Sequence, residues 1–121
     1  MNLRDVLTIT SARPISDEID LDLEVRCGFA ADLMSDALRY ELAGALLVSG
    51  LANPQVVRTA EMADVAAILI VRGKVPPAET LELAMQVGVP FLGTELTMFE
   101  SCGRLHAAGL PACRRYEADP S

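Results

Sequence analysis

A chain of 121 residues is the length of one domain, large enough to bury roughly two-thirds of its unfolded surface around a single core. Its apolar fraction of 51%, with 4% aromatic residues and no Trp, describes a core of Ala, Leu, Val and Met and withholds the stacking platforms of single-stranded nucleic-acid binders. A formal charge of -7 repels phosphate backbones and anionic lipid surfaces, so neither nucleic acid nor membrane is an expected partner.

Along the chain, Asn2 to Leu7 forms an amphipathic turn or two, with Leu3, Val6 and Leu7 on a common side. Thr8-Ile9-Thr10 has strand composition, and Ser11 to Asp20, with Pro14, Ser16 and several acids, reads as a surface loop. Leu21 to Cys27 alternates apolar and polar residues in the two-residue period of an edge strand with one wet face, and Gly28 to Ala31 carry it inward. Asp32 then stands as the N-cap of a short helix whose apolar face is Leu33, Met34, Ala37 and Leu38, ending between Tyr40 and Gly44.

Three short apolar runs follow: Leu46 to Val48, Ala67 to Val71 and Val89 to Leu92. Each ends in a small or polar cluster and leads into a helical segment, the pattern of strands covered on both faces and paired in parallel through right-handed crossovers. The first helix is expected from Pro54 to Ala63 behind an Asn53 cap. The second opens at Pro76-Pro77 and closes at Gly88, and the third is marked by Thr97-Met98-Phe99-Glu100, with the spacing of a capping box, and by Gly109. One domain over residues 1–110 and a poorly ordered tail over 111–121 are expected.

Parallel pairing puts Ser49-Gly50-Leu51-Ala52-Asn53, Arg72-Gly73-Lys74 and Gly93-Thr94-Glu95 at one end of the sheet, the end at which open α/β sheets bind ligands. Ser49, Gly50, Asn53, Arg72, Gly73, Lys74 and Thr94 are therefore the candidate ligand residues. Arg72-Gly73-Lys74 admits two readings: a plain turn with solvated cations, or amides and charge converging on a phosphate or carboxylate. Neither the P-loop spacing nor that of the dinucleotide fingerprint occurs in the chain. Asp32 and Asp36, four apart with Ser35 beside them, read as a cap and a solvated face, or else as an interface or ligand set; a divalent metal between the two aspartates is the remaining enzymatic reading. No resident metal or cofactor is expected. His106, the single histidine, lacks a Gly-x-Ser-x-Gly elbow to serve and reads as a surface or packing residue. Cys27, Cys102 and Cys113 are odd in number and show no Cys-x-x-Cys spacing, so plain thiols are expected. The absence of a leader-like start and of any apolar run near ~20 residues points to the cytoplasm.

Gly28-Phe29-Ala30-Ala31-Asp32-Leu33-Met34-Ser35-Asp36 resembles the G-Y-x-x-D-L-L-S-D segment of the DRTGG domain, a family related to the N-terminal domain of HPr kinase/phosphorylase. Ala67 to Gly73 before a Pro-rich helix start, and Val87 to Thr94 followed by Thr97 to Glu100, resemble the same family in the same order. Where that family has Thr-Gly-Gly, this chain has Val71-Arg72-Gly73, and its Asp-Arg pair has no match near Asn53 to Arg58. The resemblance implies a three-layer α/β/α sandwich with a mixed, mostly parallel sheet, no catalysis, and a regulatory or interaction role as a homodimer or with a protein partner. The alternative is a sensor for a small anionic ligand, a nucleotide or phosphorylated metabolite, at the strand ends.

Overall fold

Burial of apolar residues on both faces of a central sheet organises the chain, and a computed structural model describes residues 1–116 of it. The elements in order are α1 (Leu3–Thr10), β1 (Arg13–Pro14), β2 (Cys27–Ala30), a 3-10 helix (Met34–Arg39), β3 (Ala45–Ser49), α2 (Pro54–Met62), β4 (Ala67–Ile70), α3 (Ala78–Val87), β5 (Phe91–Gly93) and α4 (Met98–Ala107). The strand order is β1-β5-β4-β3-β2, with β2 to β5 parallel and β1 antiparallel to β5. This is the expected α/β/α sandwich with a mixed, mostly parallel sheet. Strands β2 to β5 succeed one another in space as in sequence. Right-handed crossovers that all step the same way put their helices on one face. Accordingly Met34, Ala37, Val56, Val57, Ala60 and Ala84 pack with Leu47, Ile68 and Phe91 on that side, while Leu3, Val6 and Leu105 of α1 and α4 pack with Leu46, Val48 and Leu69 on the other.

β3 and β4 are buried at every position, which is why their sequence runs are continuous rather than alternating. Helix punctuation works as expected at three places. Asn53 accepts the Gln55 amide ahead of Pro54, Gly88 closes α3 at φ 78, and Thr97 accepts the Glu100 amide at 3.1 Å. The Glu100 carboxylate does not return the capping-box bond; it pairs with Arg104 at 3.0 Å.

Four expectations are corrected. Thr8 to Thr10 belongs to α1, because Thr10 is buried with its hydroxyl donating to the Val6 carbonyl at 2.7 Å, which removes the polar cost of a helical Thr. The expected surface loop contains β1, paired with β5, and just after it the Ile15 amide donates to the Phe91 carbonyl at 2.8 Å. Leu21 to Arg26 is not a strand beyond a single bridge between Asn2 and Glu24; the strand is Cys27–Ala30, at the sheet edge as expected.

The fourth concerns the carboxyl-terminal segment. From the expected tail, residues 111–116 run beside β2: the Gly28 amide donates to the Pro111 carbonyl at 2.8 Å, and the Cys113 amide to the Gly28 carbonyl at 3.0 Å. A disulfide joins Cys27 to Cys113 across 86 residues of chain, so two of the three cysteines are not plain thiols. Residues 117–121 of the expected tail lie outside the described residues. Among the described residues no helix is long and apolar enough to cross a membrane.

Candidate functional site

Parallel register aligns Ala30 with Val48, Ser49 with Ile70, and Ile70 with Gly93, so the segments after β2, β3, β4 and β5 emerge at one end. The candidate residues therefore share an end of the sheet, but they divide into two groups there.

The first group surrounds Gly50. Asp32 does not cap a helix: the 3-10 helix has Leu33 at its N-cap position and no side-chain cap bond. The Asp32 carboxylate turns instead to the end of β3, where Oδ1 accepts the Gly50 amide at 2.7 Å and the Ser49 hydroxyl at 3.3 Å. Ser49 Oγ in turn accepts the Leu51 amide at 3.0 Å. The Arg72 guanidinium lies over Gly50, close enough that a Cβ there would collide with it. Asp32 and Arg72 thus meet above the one residue small enough to admit both. Among the described residues no carboxylate comes within 4.0 Å of Arg72.

Gly50→Ala is consequently expected to displace the far end of a flexible arginine rather than the backbone. Urea denaturation should show a stability within about 1 kcal/mol of the parent, even though the guanidinium has left its position.

The second group forms a cleft at the ends of β4 and β5, lined by Ser11, Arg13, Gly73, Lys74, Thr94 and Glu95. Arg72 and Gly73 both have positive φ, 61 and 65, and the Lys74 amide points back to the Val71 carbonyl at 3.4 Å, the pattern of a type I′ turn. The Arg72 amide donates to the Leu96 carbonyl at 2.8 Å and the Gly73 amide to the Thr94 carbonyl at 2.9 Å. These amides hold two loops together and cannot also cradle an anion. The Thr94 hydroxyl is likewise engaged, donating to the Thr10 carbonyl at 2.7 Å and accepting the Leu96 amide at 3.2 Å. What the sequence-predicted cluster leaves for a ligand is charge: Arg72 and Lys74, joined by Arg13.

Arg13 and Glu95 were missed. Arg13 reaches the cleft through the two-residue strand β1, which carries no hydrophobic period, and Glu95 lies over Gly73 where a Cβ would strike its carboxylate. Asn53 serves as the cap of α2. Asp36 and Ser35 are exposed on the 3-10 helix. Asp36 lines a different cleft with Arg39, Tyr40 and Arg115, so it is not brought together with Asp32. Among the described residues no three His, Cys, Asp or Glu side chains gather as a metal site would require.

The cleft is small, about 140 Å³, against the ~300–1,000 Å³ of ordinary ligand pockets. Its size follows from topology, because the binding crevice of open α/β sheets opens where strand order reverses, and β2 to β5 never reverse. Apolar side chains are exposed around the same end: Leu33 at 62%, Val75 at 75% and Phe99 at 90%.

A second, more apolar cleft of about 220 Å³ lies between α4 and β2, lined by Phe29, Cys102, Leu105, His106 and Leu110 among others. Burial there raises the thiol pKa of Cys102 above its ordinary value. Less thiolate is then present at neutral pH, so Cys102 should alkylate more slowly than free cysteine, its rate still climbing above the usual thiol range. Mass spectrometry of timed iodoacetamide reactions at several pH values checks this.

No protein-family model matches the chain, and no curated protein matches it by sequence. Among solved structures it is similar to the CBS and DRTGG domains of the regulatory region of a Clostridium perfringens pyrophosphatase, determined in complex with the activator diadenosine tetraphosphate. The TM-score is 0.65 at 15% identity, covering 96% of this chain and 51% of that one. The present chain thus spans about half the length of that neighbour, and its fold is DRTGG-like.

Proposed function

We propose that this chain is a non-catalytic regulatory module that pairs with a second copy of itself through the carboxyl end of its sheet. The observation that carries the reading is the exposure of Leu33, Val75 and Phe99, which follow β2, β4 and β5 at the end of the sheet where Asp32 and Arg72 lie. A two-fold interface sets the same patch against itself, so that residue i of one copy meets residue j of the other. Arg72 of each protomer, lacking a carboxylate partner within its own described residues, then faces Asp32 of the mate, and the apolar side chains close around them. Local complementarity of this kind offsets the repulsion of a chain carrying -7. The regulatory character of the structural neighbour supports the reading, as do the Gly28 to Asp36 segment and its likeness to the N-terminal domain of HPr kinase/phosphorylase. Action in the cytoplasm is part of the proposal.

Light scattering at several concentrations tests it. A dimer that Phe99→Glu and Leu33→Glu reduce to monomers with the parent's circular-dichroism spectrum is the expected result. A monomer for the unaltered chain at all concentrations overturns it.

A second reading, an anionic ligand held at the strand ends, is favoured by one observation. Arg13, Arg72 and Lys74 lie at that end with no carboxylate within 4.0 Å among the described residues, and the neighbour was crystallised with a polyphosphate nucleotide. Diadenosine tetraphosphate at 100 times its dissociation constant would add ~2.7 kcal/mol of stability. Arg72→Gly removes the guanidinium and relaxes a left-handed residue, so loss of the thermal shift in that variant could not be blamed on misfolding.

A further inference from the structure

The segment after α4 covers an edge strand by an unusual balance of forces. Of residues 111–116 only Cys113 is buried; the other five are exposed. Its attachment consists of four backbone hydrogen bonds and one covalent bond. The Gly28 amide donates to the Pro111 carbonyl, the Cys113 amide to the Gly28 carbonyl, the Glu41 amide to the Arg114 carbonyl, and the Tyr116 amide to the Arg39 carbonyl. One isolated bridge pairs Gly28 of β2 with Ala112, and another pairs Tyr40, just past the 3-10 helix, with Arg115, so the segment lies along the outer edge of β2 without forming a further strand. With so little apolar surface of its own to bury, the segment depends for its docking on the Cys27–Cys113 disulfide.

We infer that this disulfide is a redox-controlled latch on the free edge of the sheet. The reductant is a thiol of the glutathione or dithiol class. Its thiolate attacks one cystine sulfur, and the other cysteine leaves as a thiolate and takes up a proton. A second reductant thiolate then resolves the mixed disulfide, forming the reductant's own disulfide and expelling the second cysteine as a thiolate that likewise takes up a proton. Both cysteines are buried, at 3% and 7%, so attack follows local opening of the segment, whose other residues over 111–116 are exposed. Release unpairs the amide and carbonyl of Gly28 on β2, creating the kind of edge to which another extended strand adds. It also withdraws Pro111 and Ala112 from the wall of the apolar cleft formed by Phe29, Ala30 and Leu105. In a reducing compartment the disulfides that form are mostly of this transient, sensing kind.

Amide hydrogen exchange on the full chain, oxidised and after dithiothreitol, is the test, with Cys113→Ser as a genetic mimic and mass measurement to verify the redox state. On reduction and in the variant, the amides of Gly28, Glu41, Cys113 and Tyr116 should exchange at nearly the unprotected rate, while those of Leu47 and Leu69 in the sheet centre fall only with the lower global stability and stay at least tenfold better protected than these four. Unchanged protection at the four amides overturns the inference. So does protection at those four amides that falls only in step with Leu47 and Leu69, which would make the disulfide a staple for the whole fold and nothing more. Free thiols at positions 27 and 113 throughout a series of glutathione redox buffers also overturn it.

Discussion

Phe91→Ala is expected to destabilise the chain by about 3–5 kcal/mol, a large share of the ~5–15 kcal/mol available to a domain of this kind. Phe91 is fully buried in β5 and is the largest side chain with no exposure. It packs on the α2 and α3 face with Ile68, Ala84 and Val89. Among the described residues the two rings packed against that cluster, Phe29 and Tyr40, pair with each other, so Phe91 has no aromatic partner to close over the void. Its backbone also anchors β1, since the Phe91 carbonyl accepts the Ile15 amide and its own amide donates to Ser16 Oγ at 2.9 Å. Those bonds survive the substitution, so the loss should register as a lower urea midpoint with an unchanged slope.

Removing the Cys27–Cys113 link has the next largest effect. In the chain-entropy account, opening a loop of 86 residues frees the unfolded ensemble by about 4–5 kcal/mol, and measured losses for native disulfides run about 2–5 kcal/mol. The effect resides in the unfolded state. Cys113→Ser and full reduction should therefore lower the melting temperature alike, by roughly 8–20 °C, without shifting the packing of β3 and β4. A calorimetric scan with and without dithiothreitol measures this.

The parallel sheet was legible because two-sided burial writes itself into sequence as continuous apolar runs, and Asn53-Pro54 and Gly88-Val89-Pro90 punctuate the chain by local backbone chemistry. The illegible parts depend on distant partners. β1 is two exposed residues whose strand character exists only through pairing with β5. The latch joins cysteines 86 residues apart, beyond any spacing rule. Thr8 to Thr10 became helical because Thr10 could satisfy its hydroxyl within α1 while burying itself.

The site was half readable. Parallel pairing correctly gathers Ser49, Gly50, Arg72, Gly73, Lys74 and Thr94 at one end. The role of Asp32 was misplaced, since a cap and a cross-strand acceptor present the same residue type, and only its 2.7 Å bond to the Gly50 amide distinguishes them. Glycine between two cations suggested open amides, yet the Arg72 and Gly73 amides bind the loop after β5. Local sequence reveals which groups are present; it does not reveal which are already spent.

The most direct test of a regulatory module working through the carboxyl end of the sheet is an amide chemical-shift map of the labelled chain. It would be recorded from dilute to concentrated protein and again with added diadenosine tetraphosphate. Changes confined to Leu33, Gly50 to Asn53, Arg72 to Val75 and Thr94 to Phe99 are the expected result. Changes centred on the amino ends of the strands, or none under either condition, would contradict the account.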